Sequence, residues 1–323
     1  MCTAITYKTK DAYFGRTLDI ECSYGEEVIV TPRNHKLSFR HKKDLESHYA
    51  IIGMGTVRDG YPLYYDAANE CGLGMAGLNF PTNACYFPLQ EGKENISPFE
   101  FIPWLLSQCK NVDEARKCLS CIHLCNTPFS SELPLSPLHW MIADKEESIV
   151  VESLVDGLHI YPNPVGVLTN NPSFSYHVTH LCDYMMLSNE PPVAHLGKDY
   201  LTPYSRGMGA FGLPGDFSSA SRFVRAAFVR ENSVSKIDEM ASVSQFFHIL
   251  GAVEHVRGCV LFEDGRYEIT AYTSCINLKR GIYYYTTYEN RAISAVDLSK
   301  CDLEARELCC FPLQTAQRIE WQN

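Results

Sequence analysis

A layered α+β fold, with two sheets held between helical layers, is the architecture this sequence predicts. Strand-like and helix-like runs come in blocks: strands first, then helices, strands, helices and strands again. Blocks of this kind give sheets covered by helices rather than one strictly alternating parallel sheet. No Ser/Gly-rich linker, charge block or repeat divides the chain, so residues 1–323 are read as a single domain. Hydrophobic residues make up 46% of it and charged residues 20%, an ordinary balance for a globular core.

Cys2–Tyr7 and Ala12–Ile20 are the first strands, rich in Thr, Ile, Tyr and Phe around the polar turn Lys8–Asp11. Val28–Pro32, Lys36–Arg40, Ala50–Val57, Pro62–Asp66 and Gly72–Phe80 continue the pattern. The period then changes. Ser97, Pro98 and Glu100 mark a helix start whose apolar face is Phe99, Phe101, Ile102, Leu105 and Leu106. A second helix is expected over Val112–Ile122, and strands return at Leu138–Ala143, Ser148–Ser153 and Leu158–Tyr161. Helices near Ser173–Met186, Ser219–Arg230 and Val243–Val256 precede closing strands at Tyr267–Ile276, Gly281–Tyr288 and Ala292–Leu298.

The formal net charge of −10, with no basic run to offset it, argues against a nucleic-acid partner. No apolar run approaches the roughly 20 residues of a membrane span, and the N-terminus lacks a signal-peptide core. A cytoplasmic protein is expected, and its 14 scattered cysteines are read as free thiols. Cys118, Cys121 and Cys125, with His123 among them, fit one stripe of a helix better than a metal site, because no second Cys pair completes a zinc set. No metal or cofactor is expected.

Cys2 is the candidate nucleophile. Removal of Met1 would leave a thiol and an α-amine on one carbon. An α-amine has a pKa of about 8 and can serve as the base, while a thiolate is the strongest nucleophile among ordinary side chains. Position alone favours a structural cysteine. The next strand changes the reading, because Arg16 and Asp19 interrupt an otherwise apolar run, Tyr13-Phe-Gly-Arg-Thr-Leu-Asp-Ile. A nearby Arg favours the thiolate, and an Asp can accept from the α-amine and orient it. The alternative is a surface ion pair, which needs no function.

From this point the sequence resembles the choloylglycine hydrolase family, which includes bile salt hydrolases and penicillin V acylases. The resemblance spans essentially the whole chain. It is carried by Met-Cys-Thr-Ala-Ile-Thr at the start, Phe14-Gly-Arg-Thr-Leu-Asp, Gly74-Met-Ala-Gly-Leu-Asn-Phe-Pro and Pro98-Phe-Glu-Phe-Ile-Pro-Trp. Leu138-His-Trp-Met-Ile-Ala-Asp, Gly166-Val-Leu-Thr-Asn-Asn-Pro, Gly212-Leu-Pro-Gly-Asp-Phe-Ser-Ser-Ala-Ser-Arg-Phe-Val-Arg and Tyr285-Thr-Thr-Tyr-Glu-Asn-Arg follow in order. The resemblance implies an N-terminal-nucleophile hydrolase fold, a four-layer αββα sandwich with two mostly antiparallel sheets. It also implies a catalytic set of Cys2, Arg16, Asp19, Asn79, Asn170 and Arg222, with Arg225 as the fallback for the last. The oxyanion donors would be Asn170 and the Asn79 backbone or side chain.

The implied reaction is hydrolysis of the amide of glycine- or taurine-conjugated bile acids through a Cys2 thioester. Penicillin V or another N-acyl amide is the alternative, and Asn79 favours the bile salt branch. A sterol acid needs a large apolar pocket, for which Leu18 and the loop Thr127–Pro137, with Phe129, Leu133 and Leu135, are candidate walls. Arg206, in Tyr204-Ser-Arg-Gly-Met-Gly, is a candidate partner for the anionic end of the conjugate, and a sulfonate or a carboxylate would both satisfy it. Resemblance to family members with a similar Ser-Arg-Gly segment tilts the reading toward taurine. A homotetramer is implied by the resemblance alone. A Cys-His hydrolase using His139, His177 or His180 is a rival without a supporting motif, and His177 with His180 is read as a helix surface rather than a metal pair.

Overall fold

The polar turn after Lys8 folds the first two strands, β1 (Cys2–Lys8) and β2 (Ala12–Ile20), into an antiparallel hairpin. In the computed structural model, which describes residues 1–197 and 200–323, this hairpin lies inside a larger sheet. Next come β3 (Glu27–Thr31), β4 (Ile51–Arg58), β5 (Tyr61–Asn69) and β6 (Gly74–Asn79). A short parallel pair, β7 (Glu94–Ile96) and β8 (Ile122–Leu124), brackets helices α1 (Phe101–Leu106) and α2 (Val112–Leu119). Then follow β9 (Leu138–Ala143), β10 (Ser148–Leu154), β11 (Gly157–Pro162) and β12 (Val167–Leu168). Helices α3 (Phe174–Leu181), α4 (Ser219–Asn232) and α5 (Glu239–Gly251) precede β13 (Ile269–Asn277), β14 (Ile282–Thr287), β15 (Ser294–Asp297) and β16 (Cys309–Pro312).

These strands build a six-stranded sheet in the order β12-β1-β2-β13-β14-β15 and an eight-stranded sheet in the order β11-β10-β9-β6-β5-β4-β3-β16. Within both sheets every pairing is antiparallel. The sheets face each other through β1, β2 and β6, while α4 and α5 cover the six-stranded sheet and α1 covers the eight-stranded one. The order of layers is therefore helix, sheet, sheet, helix. One apolar core joins the facing sheets to α4 and α5, and a second joins the eight-stranded sheet to α1 and α2. Local signals fix the helix starts: Asn111 accepts from the Glu114 N–H at 2.9 Å, and Asp238 from the Ala241 N–H at 3.0 Å. Among the described residues no helix is long and apolar enough to cross a membrane.

Three expectations need correction. Lys36–Arg40 is not a strand; Leu37 and Phe39 are buried in alternation, but only a single bridge, Leu37 to Leu45, forms. Alternation reports which side chains turn inward, and a ladder also needs a neighbouring edge. The helix from Val112 stops at Leu119, where Ser120 Oγ donates back to the Lys117 carbonyl at 2.7 Å and the chain enters β8. Cys118, Cys121 and Cys125 therefore do not form one helical stripe: Cys121 is exposed, and Cys125 is buried beyond β8, near Ser97. The last helix lies earlier than expected, ending at Gly251, so that Glu254 and His255 leave the helix and turn toward β13.

Candidate active site

The hairpin register places Cys2 opposite Leu18, Thr3 opposite Thr17, and Ala4 opposite Arg16. Side chains alternate along a strand, so Cys2, Leu18 and Arg16 share one face while Thr3, Thr17 and Asp19 share the other. Arg16 faces the second sheet, where its Nη1 donates to the carbonyls of Tyr65 and Gly77. Thr3 faces α4. Cys2, Arg16 and Asp19 are 3%, 1% and 0% exposed. A surface ion pair is therefore the wrong description of Arg16 and Asp19, which are buried on opposite faces of β2.

Each buried charge has its own partners. Burial opposes the Arg16 charge, but its electrostatic neighbours, the buried carboxylates Asp66 and Asp19 among them, outweigh it and hold the guanidinium pKa well above its ordinary value. Asp66 is the counter-ion that sequence reasoning missed. It accepts from Tyr272 Oη at 2.5 Å, Tyr283 Oη at 2.7 Å and Ser274 Oγ at 2.9 Å. Burial raises its pKa, and Arg16 with the three hydroxyls works against that. The only sequence signal was one acid inside the apolar strand around Tyr65. Asp19 accepts from Thr17 Oγ1 at 3.0 Å and Thr270 Oγ1 at 2.6 Å.

Arg222, on α4, ties the hairpin to the neighbouring strand end. Its Nη1 donates to the Cys2 carbonyl and to Thr3 Oγ1, both at 2.6 Å, and its Nη2 to Asn170 Oδ1 at 2.7 Å. The Nη1 also lies 3.9 Å from Asp19 Oδ2. Burial pulls the Arg222 pKa down, against Asp19, Cys2 and Glu268. Arg225 turns elsewhere, to the carbonyls of Ala252 and Pro214 at 2.7 and 2.8 Å. Of the two arginines, Arg222 reaches Cys2.

Asn170 follows β12, the strand beside β1. Its Oδ1 accepts from the Cys2 backbone N–H at 2.8 Å, and its Nδ2 donates to the Asn79 carbonyl at 2.7 Å. The nitrogen that would become the α-amine thus meets Asn170, whereas the Asp19 side chain bonds to threonines. Asn79 ends β6 with its side chain exposed. Behind Asn170, Ser219 Oγ accepts its N–H at 2.8 Å, and His177 Nε2 donates to its carbonyl at 2.8 Å. His177 is fully buried, which overturns its reading as part of a helix surface; burial pushes its pKa down to about 4. His180 stays partly exposed beside Asp183. His139, also buried, bridges Glu152 at 3.0 Å and the Thr169 carbonyl at 2.8 Å.

The expected wall residues are placed unevenly. Leu18 lies directly across from Cys2 and is buried. Phe129 packs against Phe99 and Tyr61, and its carbonyl accepts from Arg40 Nη2 at 2.7 Å. Leu133 is exposed in a turn closed by Ser130. This loop reaches the site through its end, where the Phe80 N–H donates to the Pro137 carbonyl at 2.7 Å. Arg206 is exposed, and among the described residues no hydrogen bond or ion pair joins it to the Cys2 cluster.

Comparison with known proteins places this arrangement. A family model described as linear amide C–N hydrolases, choloylglycine hydrolase family, matches residues 2–311. A bile salt hydrolase/transferase from Lactiplantibacillus plantarum is 53% identical over 316 residues, which cover 98% of each chain. A conjugated bile acid hydrolase from Clostridium perfringens, known from its crystal structure, superposes with a TM-score of 0.93 at 41% identity and full coverage of both chains. A penicillin V acylase from Agrobacterium tumefaciens shares the fold, with a TM-score of 0.77 at 20% identity over 96% of this chain and 91% of that one. The αββα sandwich is thus the N-terminal-nucleophile hydrolase fold that the sequence resemblance implied.

Proposed function

We propose that this chain, which belongs to the choloylglycine hydrolase family of linear amide C–N hydrolases, cleaves glycine- or taurine-conjugated bile acids through a thioester on Cys2. The observation that carries the reading is the convergence of Asn170 and Arg222 on the backbone of a buried Cys2. The relatives named bile salt and conjugated bile acid hydrolases supply the substrate class.

Loss of Met1 turns the Cys2 N–H into a free α-amine, which takes the thiol proton. The thiolate attacks the amide carbonyl carbon, and the carbonyl electron pair moves onto oxygen. Asn170 and Asn79 supply donors for this oxyanion; one such donor is worth about 3 kcal/mol of barrier. As the C–N bond breaks, the α-ammonium passes its proton to the leaving nitrogen, releasing glycine or taurine and leaving the acyl group on Cys2. Water, deprotonated by the same amine, adds to the thioester and expels the thiolate, which frees the bile acid. Arg16 supplies positive charge on the thiol's face, Arg222 holds the Cys2 carbonyl, and Asp19 anchors the hairpin's other face. Leu18, Phe129 and Leu133 border the acyl chain, and Arg206 meets the sulfonate or carboxylate. The enzyme works in the cytoplasm as a homotetramer, a reading supported by cysteines that are all unpaired and by exposed apolar side chains between α3 and α4.

Product analysis by mass spectrometry tests this, with glycine conjugates, taurine conjugates and penicillin V offered side by side. Free bile acid from the conjugates, lost in Cys2→Ser, is expected, with intact protein mass showing Met1 absent. Full activity in Cys2→Ser, or Met1 retained on active protein, would falsify the scheme. Arg206→Gly should lower the taurine-to-glycine ratio of kcat/KM; an unchanged ratio removes Arg206 from the site.

A further inference from the structure

Met1 extends β1 by one residue opposite Asp19. Its carbonyl accepts from the Asp19 N–H at 2.8 Å, and its terminal ammonium donates to the Asp19 carbonyl and the Glu268 carboxylate. Glu268 stands just before β13 and is 1% exposed. A carboxylate at that depth requires a positive or hydrogen-bonding partner. Beside it lies His255, equally buried, with Nδ1 3.6 Å from Glu268 Oε2 and Nε2 3.9 Å from Asp19 Oδ2. Neither ring nitrogen has a hydrogen-bond partner among the described residues. The His255 N–H donates at 2.8 Å to Thr270 Oγ1, the same hydroxyl that donates to Asp19. Asp19, Thr270, His255 and Glu268 therefore form one buried unit around a cationic amine.

We propose that Glu268, oriented by His255, is a positioning residue for the α-amine of mature Cys2, which it holds through water in the space that Met1 leaves. Glu268 lies within reach of that amine, whose role as base rests on the thioester reading above. Three covalent bonds separate the Met1 and Cys2 nitrogens, so a group bonded to the first lies within roughly 7 Å of the second. One or two bridging waters span that gap. The charged and titratable groups around the amine are Asp19 on β2, Arg222 on α4, His255 after α5, Glu268 before β13, Arg16 on the far face of β2, and the Cys2 thiol. Arg222, 3.9 Å from Asp19, offsets that carboxylate. Glu268 remains as the anion that favours the ammonium.

The sign follows. The α-amine acts as base only when unprotonated, so its pKa sets the acid limb of the kcat/KM profile. An anion nearby raises that pKa. Glu268→Gln should move the limb to lower pH by roughly half a unit or more, lower kcat more than KM, and leave Met1 removal intact by protein mass. Glu268→Asp, which keeps the charge, should restore most of the parent profile. His255→Asn, a second variant should Glu268→Gln fail to fold, should shift the limb the same way by less. A Glu268→Gln or His255→Asn profile superimposed on the parent overturns the proposal, as does Met1 retained on Glu268→Gln, which would make Glu268 a processing residue. A parent chain that cleaves no conjugate overturns this reading and the proposed function together; an active parent with an unshifted variant overturns this one alone.

Discussion

Arg222 makes four contacts from inside the protein: to the Cys2 carbonyl, Thr3 Oγ1, Asn170 Oδ1 and, through Nε at 3.0 Å, the Phe217 carbonyl. A lysine offers a single point of charge and cannot reproduce that fork. Arg222→Lys should fold but lose at least ~100-fold in kcat/KM, the scale expected when a reacting group drifts by about 1 Å. Arg222→Met should cost about 3–5 kcal/mol in a thermal melt, because Asp19 then stays buried without its cation. His177 gives a pH prediction. Its folded pKa of about 4 lies below the ordinary 6.5, so the unfolded chain binds the proton first. Stability is complete above pH 6.5 and declines as pH falls toward 4, by about 3 kcal/mol in total for this group. His177→Gln should flatten that part of the stability curve by chemical denaturation, and an equally steep curve would reject the assignment. Residues of these two kinds differ in legibility. Arg16 and Asp19 announce themselves as charges in an apolar strand. His177 does not, because helical spacing alone does not say which face is buried. Glu268 meets Met1, and His255 meets Glu268, only through tertiary contact.

Strand β2 has neighbours on both sides, β1 and β13, and at Gly15 the β13 backbone leaves no room for a side chain. A Cβ at Gly15 would sit 2.1 Å from the Ser274 carbonyl oxygen and 2.6 Å from its carbon. Those are backbone atoms that cannot swing away. Gly15→Ala should therefore force β2 from β13, at a cost of about 2–3 kcal/mol. Because Arg16 is the next residue and its N–H donates to Ser274 Oγ at 3.1 Å, activity should fall with stability. An unchanged melting temperature would mean that the sheet yields there. Most strands were legible, because two-residue alternation and β-branched content coincide in them. The exceptions have physical causes. β12 spans only Val167–Leu168 and β7 only Glu94–Ile96, too short to show a period. The stretch through Ile122 carries helical spacing, yet Ile122 itself pairs with β7. Pairing across distant sequence overrode local pattern in that case.

At the scale of the whole molecule, block order predicted the layers but not the pairings, since β2 meets β13 across most of the chain. One connection carries a run of exposed apolar side chains. Between α3 and α4, Met185, Met186, Val193, Leu196, Tyr204 and Phe211 are all more than three-quarters exposed. A monomer rarely presents so much apolar surface in one connection, and the homotetramer we propose would cover it. Charge placed in a buried interface is costly unless paired. Met186→Glu combined with Phe211→Glu should therefore split the assembly, read as a fall in mass by light scattering, while circular dichroism stays that of the parent. The parent must be larger than one chain for this to hold. If the parent scatters as a single chain, the exposed connection needs another occupant, and a wide apolar substrate entering over it becomes the better explanation. Conjugate binding measured on the doubly charged variant separates the two: affinity is kept if the patch joins subunits and lost if it guides substrate.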